Sequence, residues 1–100
     1  MGITNPWHTY GSHSSGNQPS VYELGNSSGT VQYIGRSGNL GLRISDHATA
    51  DGRTCIGRNT TRFRYEITAS HVTRERELFR EYKQTHGGLI PPCNTQDPSA

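Results

Sequence analysis

The sequence predicts a small α+β domain: a three-stranded antiparallel sheet flanked by helices. Three observations carry this expectation. Two short β-branched and aromatic runs, SVYEL at 20–24 and TVQYI at 30–34, are separated by the turn formers GNSSG, the pattern of a β-hairpin. A third run, FRYEITA at 63–69, alternates Phe63, Tyr65, Ile67 and Ala69 with Arg64, Glu66 and Thr68, as a half-buried strand with a polar outer face does. Two segments of helical period, one after the hairpin and one after the third strand, provide apolar faces to cover the sheet.

In chain order, residues 1–19 (MGITNPWHTYGSHSSGNQP) are rich in Gly, Ser, Asn and His and have no apolar period. Such a stretch buries too little to offset its ordering entropy and is expected to be a flexible arm, with Trp7 and Tyr10 either solvated or docked on the body. After the hairpin, RSGN offers a turn and a helix cap in Ser37 or Asn39. The following LGLRISDHATA sets Leu40, Ile44 and Ala48 on one face of a helix. Arg43 and His47, four apart, stand one above the other on an adjoining face.

Residues 49–61 (TADGRTCIGRNTT) have no sustained period and read as a loop with at most one helical turn. The second helix, SHVTRERELFREYKQTH, is capped by Ser70 or Thr73, stopped by Gly87 and Gly88, and kept stopped by Pro91 and Pro92. Residues 95–100 read as a disordered tail. The expected body therefore spans 20–94, small enough that its stability is marginal.

No apolar run approaches the roughly 20 residues of a membrane helix, and the N-terminus lacks a charged-then-apolar secretion pattern. A soluble intracellular protein, in cytoplasm or nucleoid, is the expectation. Its two cysteines, Cys55 and Cys93, have no close-spaced partner. Two reduced thiols are expected, ahead of a disulfide and of a zinc site shared with His71 or His86.

Net charge is only +2, but between Arg53 and Lys83 eight basic residues stand against four acids. Seven of the eight are arginine, whose planar fork suits phosphate oxygens. Arg36, Arg53, Arg58, Arg62, Arg64 and Lys83 are the candidate contacts to a nucleic acid; a solvated face of interleaved charges is the ordinary alternative.

One acid is out of place. At about 100° per residue, with Glu75 at zero, Val72 falls near about +60°, Phe79 about +40°, Tyr82 about −20° and Leu78 about −60°. Glu75 thus sits inside the apolar stripe, whereas Glu77 projects to the far side with Thr73 and Arg80. A carboxylate there costs several kcal/mol unless it is paired or binds a cation. Either it is paired with a basic side chain, Arg43 foremost, or the stripe ends at a groove where Glu75 is solvated, or it lines a cleft as a metal ligand or acid-base group.

With these residues placed, the chain resembles the GIY-YIG nuclease family over nearly all of 20–94. That family pairs a Gly-Ile-Tyr tripeptide with a Tyr-Ile-Gly tripeptide on neighbouring strands; here Ser20-Val21-Tyr22 and Tyr33-Ile34-Gly35 leave ten residues between the tyrosines. The arginine expected on the next helix is matched by Arg43, the histidine or tyrosine one turn later by His47, the glutamate of a later helix by Glu75, and the closing asparagine by Asn94. Two features depart from the pattern: the first tripeptide lacks its glycine, and the link QTHGGLIPPCN before Asn94 is long.

The resemblance implies a Mg²⁺- or Mn²⁺-dependent endonuclease that hydrolyses DNA phosphodiesters, one strand per site. In it Tyr22 is the general base with Tyr33 as partner, Arg43 binds the scissile phosphate, His47 orients Tyr22 or the phosphate, Glu75 ligates the metal, and Asn94 fixes the far wall. RNA or branched DNA are alternative substrates, and a partner protein or a dimer would supply targeting. Two rivals are a non-catalytic nucleic-acid-binding module of the same fold, and a structural domain in which Glu75 and Arg43 form a buried ion pair.

Overall fold

The computed structural model describes residues 3–11 and 16–99. Its elements are β1 (His8–Thr9), β2 (Ser20–Gly25), β3 (Val31–Ser37), α1 (Leu40–Ala48), α2 (Cys55–Asn59), β4 (Arg62–Ile67) and α3 (His71–Thr85). All pairings are antiparallel, and the sheet runs β1-β4-β2-β3. β3 is therefore an edge strand. Among the described residues no helix is long and apolar enough to cross a membrane.

The expected hairpin forms, and its turn has a local cause. Asn26 Oδ1 accepts hydrogen bonds from the backbone N–H groups of Ser28 and Thr30 at 2.9 and 3.0 Å, while Gly29 takes the left-handed φ of 78° that closes the turn. Asn39, not Ser37, caps α1: its Oδ1 accepts from the Leu42 N–H at 3.1 Å. Ser70 is the first residue before α3 but makes no side-chain cap bond. Gly87 and Gly88, at φ 64° and 86°, end that helix as expected.

β2 is buried along its whole length because helices cover both of its faces. Tyr22 and Leu24 face Leu40 and Ile44 of α1 and Phe63 of β4, with Ile56 of α2 beside them. Val21 and Ile34 face Leu78 and Phe79 of α3. The sheet thus separates two small cores.

Three expectations are corrected here. The sheet has four strands rather than three, because His8 and Thr9 pair with Phe63 and Arg62. Accordingly the stretch read as a free arm contributes to the body: Ile3 enters the α3-side core, and Trp7 lies 4.4 Å from the Arg64 guanidinium in a cation–π contact. Residues 12–15 of that stretch lie outside the described residues. Second, the alternating strand β4 does not turn a polar face to solvent. Arg64 pairs with the nearly buried Glu23 at 2.6 Å, and Arg74 of α3 reaches Glu66 at 2.9 Å and Glu77 and Glu81 at 3.3 Å. An ionic layer therefore lies between α3 and the sheet, where single-sequence patterning reads charge as solvent.

Third, Cys55 and Cys93 are joined in a disulfide rather than reduced, across 38 positions. The chain ends that meet are α2 and the segment after α3, brought together because Cys93 N–H donates to the Gln32 carbonyl on the free edge of β3. Residues 95–98, expected to be disordered, run along the same edge, and Asp97 accepts from Lys83 Nζ at 2.6 Å.

The register explains one glycine of the Tyr-Ile-Gly tripeptide. Gly35 lies opposite Tyr22, and a Cβ at Gly35 would stand 2.5 Å from both the Cζ and the hydroxyl of Tyr22. The phenol ring crosses β3 only because nothing is there. Gly35→Ala is expected to lower unfolding free energy by about 1–3 kcal/mol, as overpacking of a tight site does, which urea denaturation reads directly.

Candidate active site

Five elements converge at the β3 edge. Tyr22 comes from the middle of β2, Tyr33 from β3, Arg43 and His47 from successive turns of α1, Glu75 from the second turn of α3, and Asn94 from the C-terminal segment. Tyr22, Tyr33, Arg43, Glu75 and Asn94 line one open cleft of about 390 Å³ together with Arg36, Phe79 and residues 95–98. His47 stands directly behind them.

The aromatic part is tightly coupled. Tyr22 Oη lies 2.9 Å from His47 Nε2. The rings of Tyr22 and Tyr33 are 6.2 Å apart, and His47 sits 5.5 and 5.3 Å from them. Arg43 lines the cleft beside both phenols, which act on it electrostatically. It also approaches Asp46 one turn on, at 3.8 Å.

Burial decides the protonation states. Tyr22 is 1% exposed, and desolvation pushes its phenol well above the usual range; the nearby Tyr33 adds to this, while Arg43 opposes it without prevailing. His47, buried and repelled by Arg43, is pulled down to about 4 and stays neutral near pH 7. Neutral imidazole accepts the Tyr22 proton in one tautomer and donates to the phenol oxygen in the other.

This predicts a pH signature. Between its ordinary pKa of 6.5 and about 4, His47 takes a proton in the unfolded chain but not in the folded one, so its share of stability is full above 6.5 and is lost as pH falls towards 4. The carboxyls of Glu23 and Glu75 are raised, chiefly by burial, and contribute with the opposite sign. The measurement is therefore a difference: unfolding free energy of wild type minus that of His47→Gln should shrink from pH 7 to pH 4.5. A flat difference would contradict the buried neutral imidazole.

Glu75 has a partner, but not the one its helical position first suggests. Arg36 Nε approaches Glu75 Oε1 at 3.3 Å; the acid's side chain is 13% exposed and the arginine's 46%. The pair opens to the cleft, with one half-exposed member. Asn94 makes a two-point contact with the backbone of Ile34: its Oδ1 accepts from the Ile34 N–H at 2.9 Å and its Nδ2 donates to the Ile34 carbonyl at 3.0 Å. The middle residue of the Tyr-Ile-Gly tripeptide is thus clamped by the cleft's far wall.

The basic residues do not gather with the cleft as a group. Only Arg36 and Arg43 line it, together with the carboxylates Glu75 and Asp97. Arg53 is bound to Asp51 at 3.0 Å on the surface, Arg58 is exposed on α2, and Arg62 is half-buried in β4. Arg64 and Lys83 are engaged by Glu23 and Asp97. Sequence reasoning missed the wall at 95–98; the sole signal for it was Asp97, an acid within reach of a lysine on the preceding helix.

A family model described as "Domain of unknown function (DUF7508)" matches residues 1–85. The chain belongs to the DUF7508 family. The matched span carries Tyr22, Tyr33, Arg43, His47 and Glu75 and ends before Cys93 and Asn94. No curated protein matches this DUF7508 chain. Among solved structures it is similar to the GIY-YIG N-terminal endonuclease domain of UvrC from Thermotoga maritima. Two point mutants of that domain bound to its catalytic divalent cation align at TM-score 0.61, with 20% and 19% identity, over 81% of this chain and 87% of theirs. The same domain bound to magnesium aligns at TM-score 0.56 and 18% identity, over 80% and 86%. The DUF7508 chain therefore has a GIY-YIG-like fold.

Proposed function

We propose that this chain is a divalent-cation-dependent endonuclease that hydrolyses phosphodiester bonds in DNA, one strand per site. The observation that carries the reading is the convergence of two phenols, a guanidinium, a carboxylate and a carboxamide on one open cleft, from segments up to 72 positions apart in the chain. The likeness to a cation-bound endonuclease domain supports the choice of reaction class.

The residues fit a hard cation. Glu75 offers carboxylate oxygens at the cleft wall, and its guanidinium partner is half-exposed and free to leave. Among the described residues there is no cluster of three or more metal-ligating side chains. A single protein carboxylate suits Mg²⁺, which keeps several waters and completes its shell with phosphate oxygens. When bound, such an ion neutralises charge on the phosphate and on the leaving oxygen.

The chain's own groups divide the remaining work. Arg43 presents its fork to a phosphate in the cleft, where it stabilises the growing charge. Arg36, once released from Glu75, is placed for a neighbouring phosphate. Tyr33 is half-exposed in the cleft, whereas Tyr22 is buried. We therefore assign the base role to Tyr33, shifting it from Tyr22. Cations beside a phenol favour its phenolate form, so Arg43 is well placed to assist. Tyr22 and His47 form the buried brace that holds the Tyr33 ring. Asn94 fixes the strand that carries Tyr33.

A second reading, a binding module without cleavage, is favoured by one observation: Glu75 already has a guanidinium partner. Supercoiled plasmid separates the two. Conversion to the nicked form with Mg²⁺, its loss in EDTA, and its absence in Glu75→Ala support the nuclease. Salt-dependent retention of DNA with no nicking in Mg²⁺ or Mn²⁺, on duplex, branched or RNA substrates, supports the binding module.

A further inference from the structure

We propose that the Cys55–Cys93 disulfide is a redox latch that positions the far wall of the cleft. It rests on the endonuclease reading for its effect on turnover, but not for its geometry. The bond ties the first residue of α2, on the α1 side of the sheet, to the residue immediately before Asn94. Residues 93–98 build the wall: Cys93 N–H donates to the Gln32 carbonyl at 2.8 Å, Asn94 clamps Ile34, and residues 95–98 line the cleft.

On its other side the wall is joined to α3 by a short connector. Seven residues separate Thr85 from Cys93, among them Gly87 and Gly88 in left-handed conformations, and Leu89 is 70% exposed. Ile90 and the buried Pro91 supply the apolar anchorage of this stretch, and the Lys83–Asp97 pair supplies one further tether. The core clusters on both faces of the sheet are complete without Cys55. Besides the stabilisation that closing a 38-residue loop gives the folded state, the covalent bond therefore acts locally on the wall.

Cys55 is partly exposed, so a thiolate can reach its Sγ. The co-reactant is a small or protein dithiol. One of its thiolates attacks Cys55 Sγ, breaking the Cys55–Cys93 bond and forming a mixed disulfide, with Cys93 leaving as thiolate and taking a proton. The second thiol of the reductant then displaces Cys55, so two electrons and two protons are transferred and the dithiol becomes its own disulfide. Reduction frees the wall, loosens the clamp on Ile34 and lets the strand carrying Tyr33 wander from the phosphate.

The test compares the oxidised full chain, the same chain reduced with dithiothreitol, and Cys55→Ser/Cys93→Ser, with thiol titration fixing the state of each. Amide hydrogen exchange is followed residue by residue. Exchange at Ile34, Cys93 and Asn94 should rise by on the order of tenfold or more on reduction, with Val21, Tyr22 and Phe63 still protected. The double variant should match the reduced chain, and both should nick plasmid more slowly. Unchanged protection at Ile34 and Asn94 overturns the latch, as does loss of protection throughout the sheet, which would make the bond a staple of the whole fold. Absence of nicking in every sample alongside the expected exchange pattern removes the endonuclease reading and leaves the latch standing.

Discussion

Glu75→Gln should abolish Mg²⁺-dependent nicking while leaving the fold nearly as stable as wild type. Loss of several kcal/mol of transition-state stabilisation by a bound ion corresponds to a fall of about 10²–10³-fold or more in rate. Stability is expected to move little because the partner, Arg36, is half-exposed and recovers solvation when the carboxylate goes. The amide keeps the side chain's shape. Single-turnover nicking and urea unfolding of the same preparation read the two effects. The opposite pattern, a large loss of stability with unchanged activity, would establish Glu75 as a structural ion-pair member and end the case for a metal site.

Exchanging each phenol for phenylalanine separates the two tyrosines. Tyr33→Phe is expected to cut nicking by about 10²–10⁴-fold, the range of a lost general base, with little change in stability because the ring remains. Tyr22→Phe deletes the hydroxyl facing His47 Nε2 in a buried site, which should cost about 1–3 kcal/mol of stability. Its effect on rate should be smaller, since Tyr22 acts through the brace rather than on the phosphate. Equal collapse in both variants would return the base role to the pair acting together.

The cleft's charge gives these expectations a common frame. Of the cleft's charged groups, Arg36 is paired with Glu75 and Asp97 with Lys83, which leaves Arg43, 3.8 Å from Asp46, as the group best placed to attract a phosphate. The arginine count between 53 and 83 does not change this, because Arg64 and Arg74 are consumed in the ionic layer beneath α3 and Arg53 in a local pair. Cation binding at Glu75 would tip the balance, coupling substrate affinity to the metal.

Elements governed by near neighbours were legible in the chain. The hairpin followed from GNSSG between two β-branched runs, α1 from the Leu40 and Ile44 spacing behind a cap in Ser37 or Asn39, and the end of α3 from Gly87 and Gly88. The inward turn of Glu75 was likewise written in the helical period, because 3.6 residues per turn fixes direction relative to Leu78 and Phe79 without knowledge of what lies opposite. What lies opposite was decided elsewhere. Arg36 rather than Arg43 meets Glu75 because β3 is an edge strand whose alternate residues point towards α3, a fact of strand order and not of spacing. Strand β1, the Arg64–Glu23 pair, the Cys55–Cys93 bond and the Asn94 clamp on Ile34 all join positions dozens of residues apart. Their cause is the packing of surfaces that exist only after the sheet has formed, and a one-dimensional pattern carries directions but not partners.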